Sequence, residues 1–415
     1  MVAYAFEVLF GTRVSIVAYK AITNPLSAVQ TKTADVEVSV VMPCLDEAQT
    51  VGICIAKAQQ AFRDANISGE VIVADNGSTD RTPEIATRLG ARVIAVQSRG
   101  YGSALMGGIA AAAGKYVIMG DADDSYDFGH IPRFLERLRS GDELVMGNRF
   151  RGGILPGAMP PLHKYLGNPV LTRIGRLFFG GSCGDFYCGL RGFSKQAYEK
   201  MDLRTTGMEF ATEMVVKANL LGMKIGEVPT TLSPDGRGRP PHLRTWRDGW
   251  RTLRFFLLYS PRWLFLYPGV LLMLIGFIIG AWLLPGARQI GRVTFDVHTL
   301  LYAAITILLG FQAIAFAVFT KQFAISEGLH PPDPKFDKLF HYARLETALL
   351  AGGALAITGF AGSIYAVSVW GAHHFGQLDF SHTLRIVIPA VLCLTLGVQA
   401  MFCGFFLSVL GMRRR

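Results

Sequence analysis

The sequence predicts two parts: an α/β domain with a mostly parallel sheet, followed by an all-α membrane domain of four helices. In the first half of the chain, short β-branched apolar runs alternate with helical stretches. Of the 415 residues, 51% are hydrophobic and only 17% are charged, and the apolar excess lies after Arg262. Such a composition excludes an ordinary soluble enzyme.

The α/β domain is predicted from strands that are apolar enough to be buried on both faces. We predict these strands at Val36–Met42, Glu70–Ala74, Arg92–Val96, Tyr116–Gly120 and Leu144–Met146. Helices are predicted near Thr50–Ala65, Pro83–Leu89, Gly102–Ala113 and Ile131–Arg139. Repeated βα units of this kind give a doubly wound sheet, which binds ligands at the carboxyl ends of its strands.

The membrane domain is predicted from four stretches that carry no charged side chain. They cover residues 263–284, 299–320, 348–370 and 386–410. Each exceeds the ~20 residues that a helix needs to cross a bilayer. Buried core helices are the alternative, but four in succession favour membrane spans. The predicted domains are an N-terminal extension at 1–34, disordered or lying on the membrane, the α/β domain at 35–232, a polar loop and basic interfacial helix at 233–262, and the membrane domain at 263–415.

The net charge of +10 favours anionic lipid headgroups over nucleic acid as partners, because it accompanies four membrane spans. From Arg244 to Arg254, arginines recur at three- and four-residue spacing beside Trp246 and Trp250, which predicts a helix at the bilayer surface. A basic helix packed on the soluble domain is the alternative. The basic middle loop and tail place the α/β domain in the cytoplasm, at the inner membrane if the source is bacterial.

Acidic side chains follow three of the predicted strands, where the carboxyl ends of a parallel sheet would bring them together. Asp46 and Glu47 follow the first strand, Asp75 ends the second, and Asp121-Ala122-Asp123-Asp124 follows the fourth. Carboxylates at positions i and i+2 can jointly hold Mg²⁺ or Mn²⁺ together with diphosphate oxygens. Capping of the next helix is the alternative for each of these clusters.

Two basic positions suit an anionic substrate. Arg149 and Arg151 follow the fifth strand and are flanked by glycines, which suits a phosphate group, although a surface arginine pair is the alternative. Further along, Asp185 and Arg191 either shape the acceptor side of the site or form a structural ion pair.

Together these motifs resemble glycosyltransferase family 2 with its GT-A fold, in particular the dolichyl-phosphate mannose and polyprenyl-phosphate glucose synthases. The resemblance spans roughly Val36 to Val228. It is carried by Val-Val-Met-Pro-Cys-Leu-Asp-Glu, Val-Ala-Asp-Asn-Gly-Ser-Thr-Asp, Arg-Gly-Tyr-Gly-Ser-Ala, Gly-Asp-Ala-Asp-Asp, Gly-Asn-Arg, Gly-Leu-Arg-Gly-Phe-Ser and Glu-Phe-Ala-Thr-Glu, in that order.

The resemblance implies a role for each site residue. Asp121 and Asp123 would hold the metal, Arg149 with Arg151 would meet the acceptor phosphate, and Asp124 would act as a base or orient a sugar hydroxyl. The nucleotide-sugar would contact Pro43, Asp46, Glu47, Asp75, Gly77, Asp121 and Ala122. Asp123, Asp124 and Arg149 would be the catalytic residues. We also expect Arg237 and Arg239 to meet the acceptor phosphate, and these two with His242 to line the entrance for the lipid.

The predicted reaction is therefore an inverting transfer of a hexose from a nucleotide-diphosphate sugar to a polyisoprenyl phosphate, either dolichyl or undecaprenyl. A membrane polysaccharide synthase is one alternative, but such enzymes usually carry Gln-x-x-Arg-Trp before a span, and Tyr259-Ser260-Pro261-Arg262-Trp263 lacks the Gln. A transport or flippase module is the other, although spans without charged residues offer little for a polar path. Self-association into a homo-oligomer stays open.

Overall fold

The computed structural model of the protein describes residues 36–237, 245–334, 336, 345–372, 374–377 and 379–411. Within these ranges the chain forms an α/β domain followed by four long apolar helices, which confirms the predicted fold class. The predicted extension 1–34, Arg239, His242, Arg244 and the tail Arg413–Arg415 lie outside the described residues.

One sheet of seven strands forms the centre of the α/β domain. The strands are β1 (Val38–Cys44), β2 (Gly69–Asp75), β3 (Arg92–Ala95), β4 (Tyr116–Met119), β5 (Leu144–Asn148), β6 (Arg191–Ser194) and β7 (Ile225–Pro229). Their order is β3-β2-β1-β4-β6-β5-β7. Only β6 runs antiparallel to its neighbours β4 and β5, and the other pairings are parallel. The remaining six strands thus end at one side of the sheet, called the carboxyl edge below.

Helices cover both faces of this sheet, as buried strands require. They are α1 (Val51–Asp64), α2 (Thr82–Arg88), α3 (Tyr101–Ala111), α4 (Ile131–Arg139), α5 (Arg149–Gly152), α6 (Asn168–Phe179), α7 (Lys195–Met201), α8 (Glu209–Leu220) and α9 (Thr245–Tyr259). Ile55 of α1 and Phe134 of α4 are fully buried in the core on one face. Leu105 of α3 and Phe210 of α8 are fully buried in the core on the other.

Strand β1 continues through Pro43 and Cys44, two residues beyond its predicted end at Met42. The carbonyl of Val41 accepts a hydrogen bond from Gly120 on the β4 side, and Pro43 faces that same side two residues later. Because β4 pairs with β1 only as far as Val41, the missing N–H of Pro43 costs no ladder hydrogen bond.

Four helices of the second part are long and apolar enough to cross a membrane, so the chain is a membrane protein. They are α10 (Tyr267–Leu283, preceded by a wide turn at Arg262–Leu266), α11 (Val297–Ser326), α12 (Leu345–Ala372) and α13 (Phe380–Gly411). A hairpin of β8 (Arg288–Ile290) and β9 (Val293–Phe295) joins α10 to α11. A Cβ on Gly352 of α12 would lie 2.7 Å from the carbonyl oxygen of Gly397 of α13, so these helices touch through their backbones.

Helix α9 connects the two parts. The sequence left two arrangements open for it, a helix at the bilayer surface and a helix packed on the α/β domain, and the structure has features of both. Phe255 and Phe256 are buried, and Phe256 packs edge-on against Phe179 with ring centroids 5.6 Å apart. Trp246 and Trp250 on the same helix are 81% and 59% exposed. The helix is thus packed on the α/β domain while it presents tryptophans outward.

Candidate active site

The loops after β1 and β2 are tied together at the carboxyl edge by Asp46. Its carboxylate accepts hydrogen bonds from the backbone N–H of Thr79 at 2.7 Å and from the Thr79 hydroxyl at 3.2 Å. Its own N–H donates to the hydroxyl of Ser78 at 2.9 Å. Asp46 has a left-handed backbone, with φ of 58°. These contacts join two loops, so Asp46 is not a cap of α1.

Glu47 is anchored to the second loop through its backbone, which leaves its side chain directed elsewhere. Its N–H donates to the hydroxyl of Thr82 at 2.8 Å. Its buried carboxylate lies 3.0 Å from a terminal guanidinium nitrogen of Arg237. At the start of α1 the N–H of Val51 donates to the backbone carbonyl of Glu47 at 2.9 Å, whereas the Glu47 carboxylate accepts only from the Thr50 hydroxyl there, at 3.3 Å, so the side chain does not cap the helix.

Asp75 shapes its own loop at the end of β2. Its carboxylate accepts hydrogen bonds from the N–H groups of Gly77 and Ser78, each at 3.2 Å. Gly77 is exposed and has a φ of 92°, a conformation that favours glycine. The carboxylates of Asp75, Glu47 and Asp121 all lie near the thiol of Cys44, whose pKa is raised by burial and next by these charges. The three strand ends therefore converge, as the sequence predicts.

Asp121, the first carboxylate of the Asp-Ala-Asp motif, accepts a hydrogen bond from the hydroxyl of Tyr101 at 2.9 Å. Burial, and next the negative charge of Asp123, raise the pKa of the Asp121 carboxyl. Ala122 between them is buried and contributes no polar side chain. Tyr101 was not singled out as a site residue, although it stands at the centre of the Arg-Gly-Tyr-Gly-Ser-Ala motif.

Asp123 and Asp124 point to different partners. One oxygen of Asp123 accepts hydrogen bonds from the Ser125 hydroxyl at 2.6 Å and from the Ser125 N–H at 3.1 Å. The other forms an ion pair with Arg237. Asp124 has a left-handed backbone, with φ of 61°, and its carboxylate lies 2.7 Å from the Lys57 ammonium group. Neither residue caps the following helical segment, because the carboxylate of Asp127 caps the short 3-10 turn Phe128–His130 that leads into α4.

Arg237 bridges two of the three strand-end loops, because the segment after β7 lies over the loop after β4. The N–H of Ser233 donates to the carbonyl of Ser125, and the N–H of Gly236 donates to the carbonyl of Asp123, each at 2.9 Å. The guanidinium of Arg237 is thereby held between Glu47 and Asp123. In this structure it neutralises acidic residues, whereas the sequence analysis expected it at the lipid phosphate.

The donor set around Asp121 and Asp123 fits a hard divalent cation. The two carboxylates concentrate negative charge, which contributes to the raised pKa of Asp121. In this structure the guanidinium of Arg237 balances part of that charge through its ion pair with Asp123. Mg²⁺ typically binds one or two carboxylates and completes its shell with water and substrate phosphates. No cluster of three or more metal-binding side chains occurs among the described residues, so a bound ion would need such additional ligands.

Arg149 is committed to an ion pair that the sequence analysis did not identify. Its Nε and one terminal nitrogen donate to the two carboxylate oxygens of Asp185 at 2.7 and 2.8 Å, and both side chains are buried. The expected alternative pair of Asp185 with Arg191 is wrong. Arg191 instead donates to the carbonyls of Cys188, at 2.8 Å, and Phe186, at 2.9 Å.

Arg151 follows Arg149 in the short helix α5 but faces solvent. Its side chain is 69% exposed, and a terminal nitrogen lies 3.3 Å from the carboxylate of Glu227. Of the two arginines that follow β5, Arg151 is therefore the one that a phosphate can reach.

Asn76, which is not among the predicted site residues, fixes the loop between β3 and α3. Its side-chain nitrogen donates to the carbonyls of Val96 and Ser98 at 3.1 and 2.8 Å. Its oxygen accepts from the N–H of Gly100 at 2.7 Å. Asn76 thus sets the course of the chain just before Tyr101.

Two family models match the chain. Residues 39–202 match "Glycosyl transferase family 2", and residues 318–411 match "Glycosyltransferase family 2 C-terminal transmembrane region". The two matches fall on the α/β domain and on the last part of the membrane domain.

Curated relatives include proteins of Haloferax volcanii. The low-salt glycan biosynthesis hexosyltransferase Agl6 is 38% identical over 377 residues, which cover 90% of this chain and 89% of that protein. A dolichyl-phosphate hexose transferase is 31% identical over 194 residues, which cover 46% of this chain and 81% of that protein. A solved structure, glucosyl-3-phosphoglycerate synthase from Mycobacterium tuberculosis with Mn²⁺ and UDP, is 22% identical with a TM-score of 0.41, covering 54% of this chain and 77% of that chain.

The match to Agl6 extends over nearly the full length of both proteins. The chain belongs to glycosyltransferase family 2.

Proposed function

We propose that this glycosyltransferase transfers a hexose from a nucleotide-diphosphate sugar to a polyisoprenyl phosphate at the cytoplasmic face of the membrane. A phosphate oxygen of the lipid attacks the anomeric carbon. The bond from that carbon to the diphosphate oxygen breaks, and the nucleoside diphosphate leaves with the electron pair. The configuration at the anomeric carbon is inverted because attack and departure are in line.

The reaction needs little acid–base help from the protein. A phosphate monoester has a second pKa of ~6, so its oxygen is already anionic at neutral pH. The remaining demands are the alignment of the two substrates and the stabilisation of charge on the leaving diphosphate. Asp124, paired with Lys57, then orients a sugar hydroxyl instead of removing a proton.

The charge on the leaving diphosphate is stabilised by the acidic loop after β4 and by the segment after β7, which carries Arg237. Asp121 and Asp123 would hold Mg²⁺ or Mn²⁺, which when bound offsets the negative charge on the leaving diphosphate. Arg237 is a second source of positive charge, since its segment is fixed to the same loop by the hydrogen bond from Gly236 to Asp123. Asp46, Glu47, Asp75 and Gly77, with Pro43 at the end of β1, form the neighbouring surface for the nucleoside.

The observation that supports a lipid acceptor is that few residues of the chain separate the acidic site from the first membrane helix. Arg237, held at Asp123, is separated from α9 by residues 238–244 alone. Helix α9 packs on the α/β domain through Phe256 and is followed at Arg262 by the first apolar helix. Such a connection favours an acceptor whose phosphate lies at headgroup depth. Arg151 is accessible for that phosphate.

The relatives support the same acceptor class. One relative is named a dolichyl-phosphate hexose transferase, and the full-length relative is named a hexosyltransferase of glycan biosynthesis. Both names fit a hexose as the transferred group. A polyisoprenyl phosphate, of which dolichyl phosphate is one, accounts for the four apolar helices as well.

The cytoplasmic orientation is supported by the distribution of basic residues. The α9 helix carries Arg247, Arg251 and Arg254 on the side of the α/β domain, and Lys321 lies near the end of α11. On the opposite side, Arg288 and Arg292 lie between α10 and α11, and Arg385 lies near the start of α13. Basic residues near the ends of spans are retained in the cytoplasm.

The deciding experiment incubates membranes that contain the full chain with radiolabelled UDP- or GDP-hexoses, polyprenyl phosphate and Mg²⁺. Chloroform-soluble label that forms in the wild type and is lost in Asp123→Asn supports the proposal. Label in a polymer would indicate a polysaccharide synthase instead. Transport of a preformed glycolipid without any transfer, retained when Asp121 and Asp123 are replaced, would identify a transport module.

A further inference from the structure

The connection that follows the second membrane helix rests on the α/β domain. A terminal nitrogen of Arg204 donates to the carbonyl of Glu327 at 2.8 Å. The ring of His330 stacks on Tyr259 of α9, with centroids 5.9 Å apart and planes inclined by 27°. Glu327 and His330 of the membrane domain thus contact Arg204 and Tyr259, two residues that are hydrogen-bonded to a buried side chain of the α/β domain.

Those side chains converge on Glu213, a fully buried carboxylate of α8. One of its oxygens accepts a hydrogen bond from the Tyr259 hydroxyl at 3.3 Å. The same carboxylate accepts from the N–H of Arg204 at 3.0 Å, from the N–H of Thr205 at 2.8 Å and from the Thr205 hydroxyl at 2.7 Å. Lys217 balances its charge at 3.0 Å. Glu213 therefore fixes the turn at residues 204–206.

This turn packs against the start of α3, where Tyr101 is the first residue. The carbonyl of Thr206 accepts a hydrogen bond from the N–H of Ser103 at 3.0 Å. A Cβ on Gly100 would lie 2.3 Å from that carbonyl oxygen, and a Cβ on Gly102 would lie 2.4 Å from the carbonyl oxygen of Thr205. Because both flanking glycines touch the turn, a shift of the turn displaces Tyr101.

Tyr101 in turn meets the acidic motif, since its hydroxyl donates to Asp121 at 2.9 Å. We propose that Glu213 is a positioning residue, which holds the 204–206 turn so that Tyr101 orients Asp121 for the metal. The connection after α11 supports this arrangement through its contacts with Arg204 and Tyr259. The inference rests on the proposed function in one respect, the use of Asp121 as a metal ligand.

The test compares Glu213→Gln, Tyr101→Phe and the double variant, all in the full chain in detergent. Glu213→Gln keeps the shape but turns an amide N–H₂ toward groups that are themselves donors. Tyr101→Phe removes only the hydroxyl. Mn²⁺ affinity is measured by electron paramagnetic resonance, once with UDP and once with GDP present, and the KM for Mg²⁺ is measured in the transfer assay.

Each single variant is expected to bind Mn²⁺ about tenfold more weakly, the effect of losing one well-placed hydrogen bond. Because both changes act on one contact, the double variant should lose no more than about twofold beyond the weaker single variant. The KM for Mg²⁺ rises in parallel, while the KM for polyprenyl phosphate is unchanged. Tyr259→Phe, which removes one contact to Glu213, gives a smaller loss in the same direction.

Asp142→Asn is the matched control, since Asp142 is a buried carboxylate at the opposite edge of the sheet, before β5. It lowers thermal stability without changing Mn²⁺ affinity. The proposal is overturned if the losses in the double variant add fully, or if Glu213→Gln lowers stability alone and leaves Mn²⁺ binding intact. Absence of Mn²⁺ binding by the wild type also overturns it. Binding data that match the expectation, obtained with a wild type that forms no glycolipid, would refute only the proposed acceptor.

Discussion

The guanidinium of Arg149 and the carboxylate of Asp185 form an ion pair with two hydrogen bonds in the interior of the α/β domain. The N–H of Arg149 also donates to this carboxylate, at 3.2 Å, so one acidic side chain fixes both the backbone and the side chain of the arginine. The pair joins the end of β5 to the segment before β6. Arg149 therefore has a structural role in addition to any contact with the acceptor.

The first prediction concerns this pair. Asp185→Asn leaves a buried guanidinium without its counter-charge, and breaking a buried pair in this way typically costs 3–5 kcal/mol, so we expect roughly that loss of stability. Thermal unfolding of the full chain in detergent measures it. Asp202→Asn is the control, because the side chains of Asp202 and its partner Arg204 are 58% and 48% exposed and exposed pairs contribute about 0–1 kcal/mol. Equal stability of the two variants would contradict the prediction.

The parallel sheet and the four membrane helices could be predicted from the sequence because both leave local signals. Apolar strands such as Tyr116–Met119 and long apolar helices such as Val297–Ser326 are visible as continuous runs. The position of the acidic loops followed from topology, since parallel strands end at one edge. The strand at Arg191–Ser194 was missed, because a short segment that begins with arginine carries no strand pattern.

Partners that are distant in sequence could not be predicted. Arg149 and Asp185 are 36 positions apart, and Arg237 and Glu47 are 190 positions apart. Each of these side chains has several chemically suitable partners, and only the fold selects among them. A motif therefore indicates that an arginine matters, whereas its partner becomes known only from the structure.

The second prediction separates Arg151 from Arg149 in the reaction. Arg151 is exposed at the carboxyl edge, where a lipid phosphate can reach it. We expect Arg151→Ala to raise the KM for polyprenyl phosphate roughly tenfold, the loss of one charge-assisted hydrogen bond. The kcat and the thermal stability should change little, since the Arg151 side chain is 69% exposed and Glu227 keeps its hydrogen bond from Asn148. An unchanged KM would remove Arg151 from the acceptor site.

The third prediction concerns the division of labour between Asp123 and Asp124. Since the acceptor phosphate is already ionised, Asp124 is not required as a base. We expect Asp124→Asn to retain at least about a tenth of the wild-type kcat, whereas Asp123→Asn loses about 100-fold or more, in the range seen when key electrostatic groups are removed. Initial rates at saturating donor and Mg²⁺ compare the two. A larger loss in Asp124→Asn would restore the general-base role.

The fourth prediction uses the half-buried His330, which lies in the connection after α11. Burial, and next the charge of Lys321, lower its pKa from 6.5 to about 4. Above pH 6.5 the ring is neutral in both the folded and the unfolded chain. As the pH falls from 6.5 toward 4, the unfolded chain takes up a proton that the folded chain resists. Stability associated with His330 is therefore lost over this window.

His330→Phe provides the comparison, because it keeps a ring on Tyr259 but has no titrating group. The melting temperature of the wild type should fall more steeply than that of the variant between pH 7 and pH 5. Parallel pH profiles for the two proteins would show that His330 is not protonated on unfolding in this range.

The last prediction concerns Arg237, which occupies the position of a counter-ion between Glu47 and Asp123. A divalent cation that binds Asp123 must compete with this guanidinium. We expect Arg237→Ala to bind Mn²⁺ alone roughly three- to tenfold more tightly, because removing a nearby positive charge favours a cation at a carboxylate. Glycolipid formation should nevertheless fall, because the charge that Arg237 contributes toward the diphosphate is also lost. Tighter metal binding combined with slower transfer is a pair of effects that misfolding does not produce.

Arg237→Lys keeps the charge but cannot span both carboxylates, since its ammonium group is a single point of charge. Its Mn²⁺ affinity should therefore lie between those of the wild type and Arg237→Ala. Electron paramagnetic resonance without nucleotide measures the affinity, and the chloroform-extraction assay measures the transfer. If Arg237→Ala instead weakens Mn²⁺ binding, Arg237 supports the metal site and does not compete with the ion. The bridge from Glu47 to Asp123 would then belong to the active arrangement of the site.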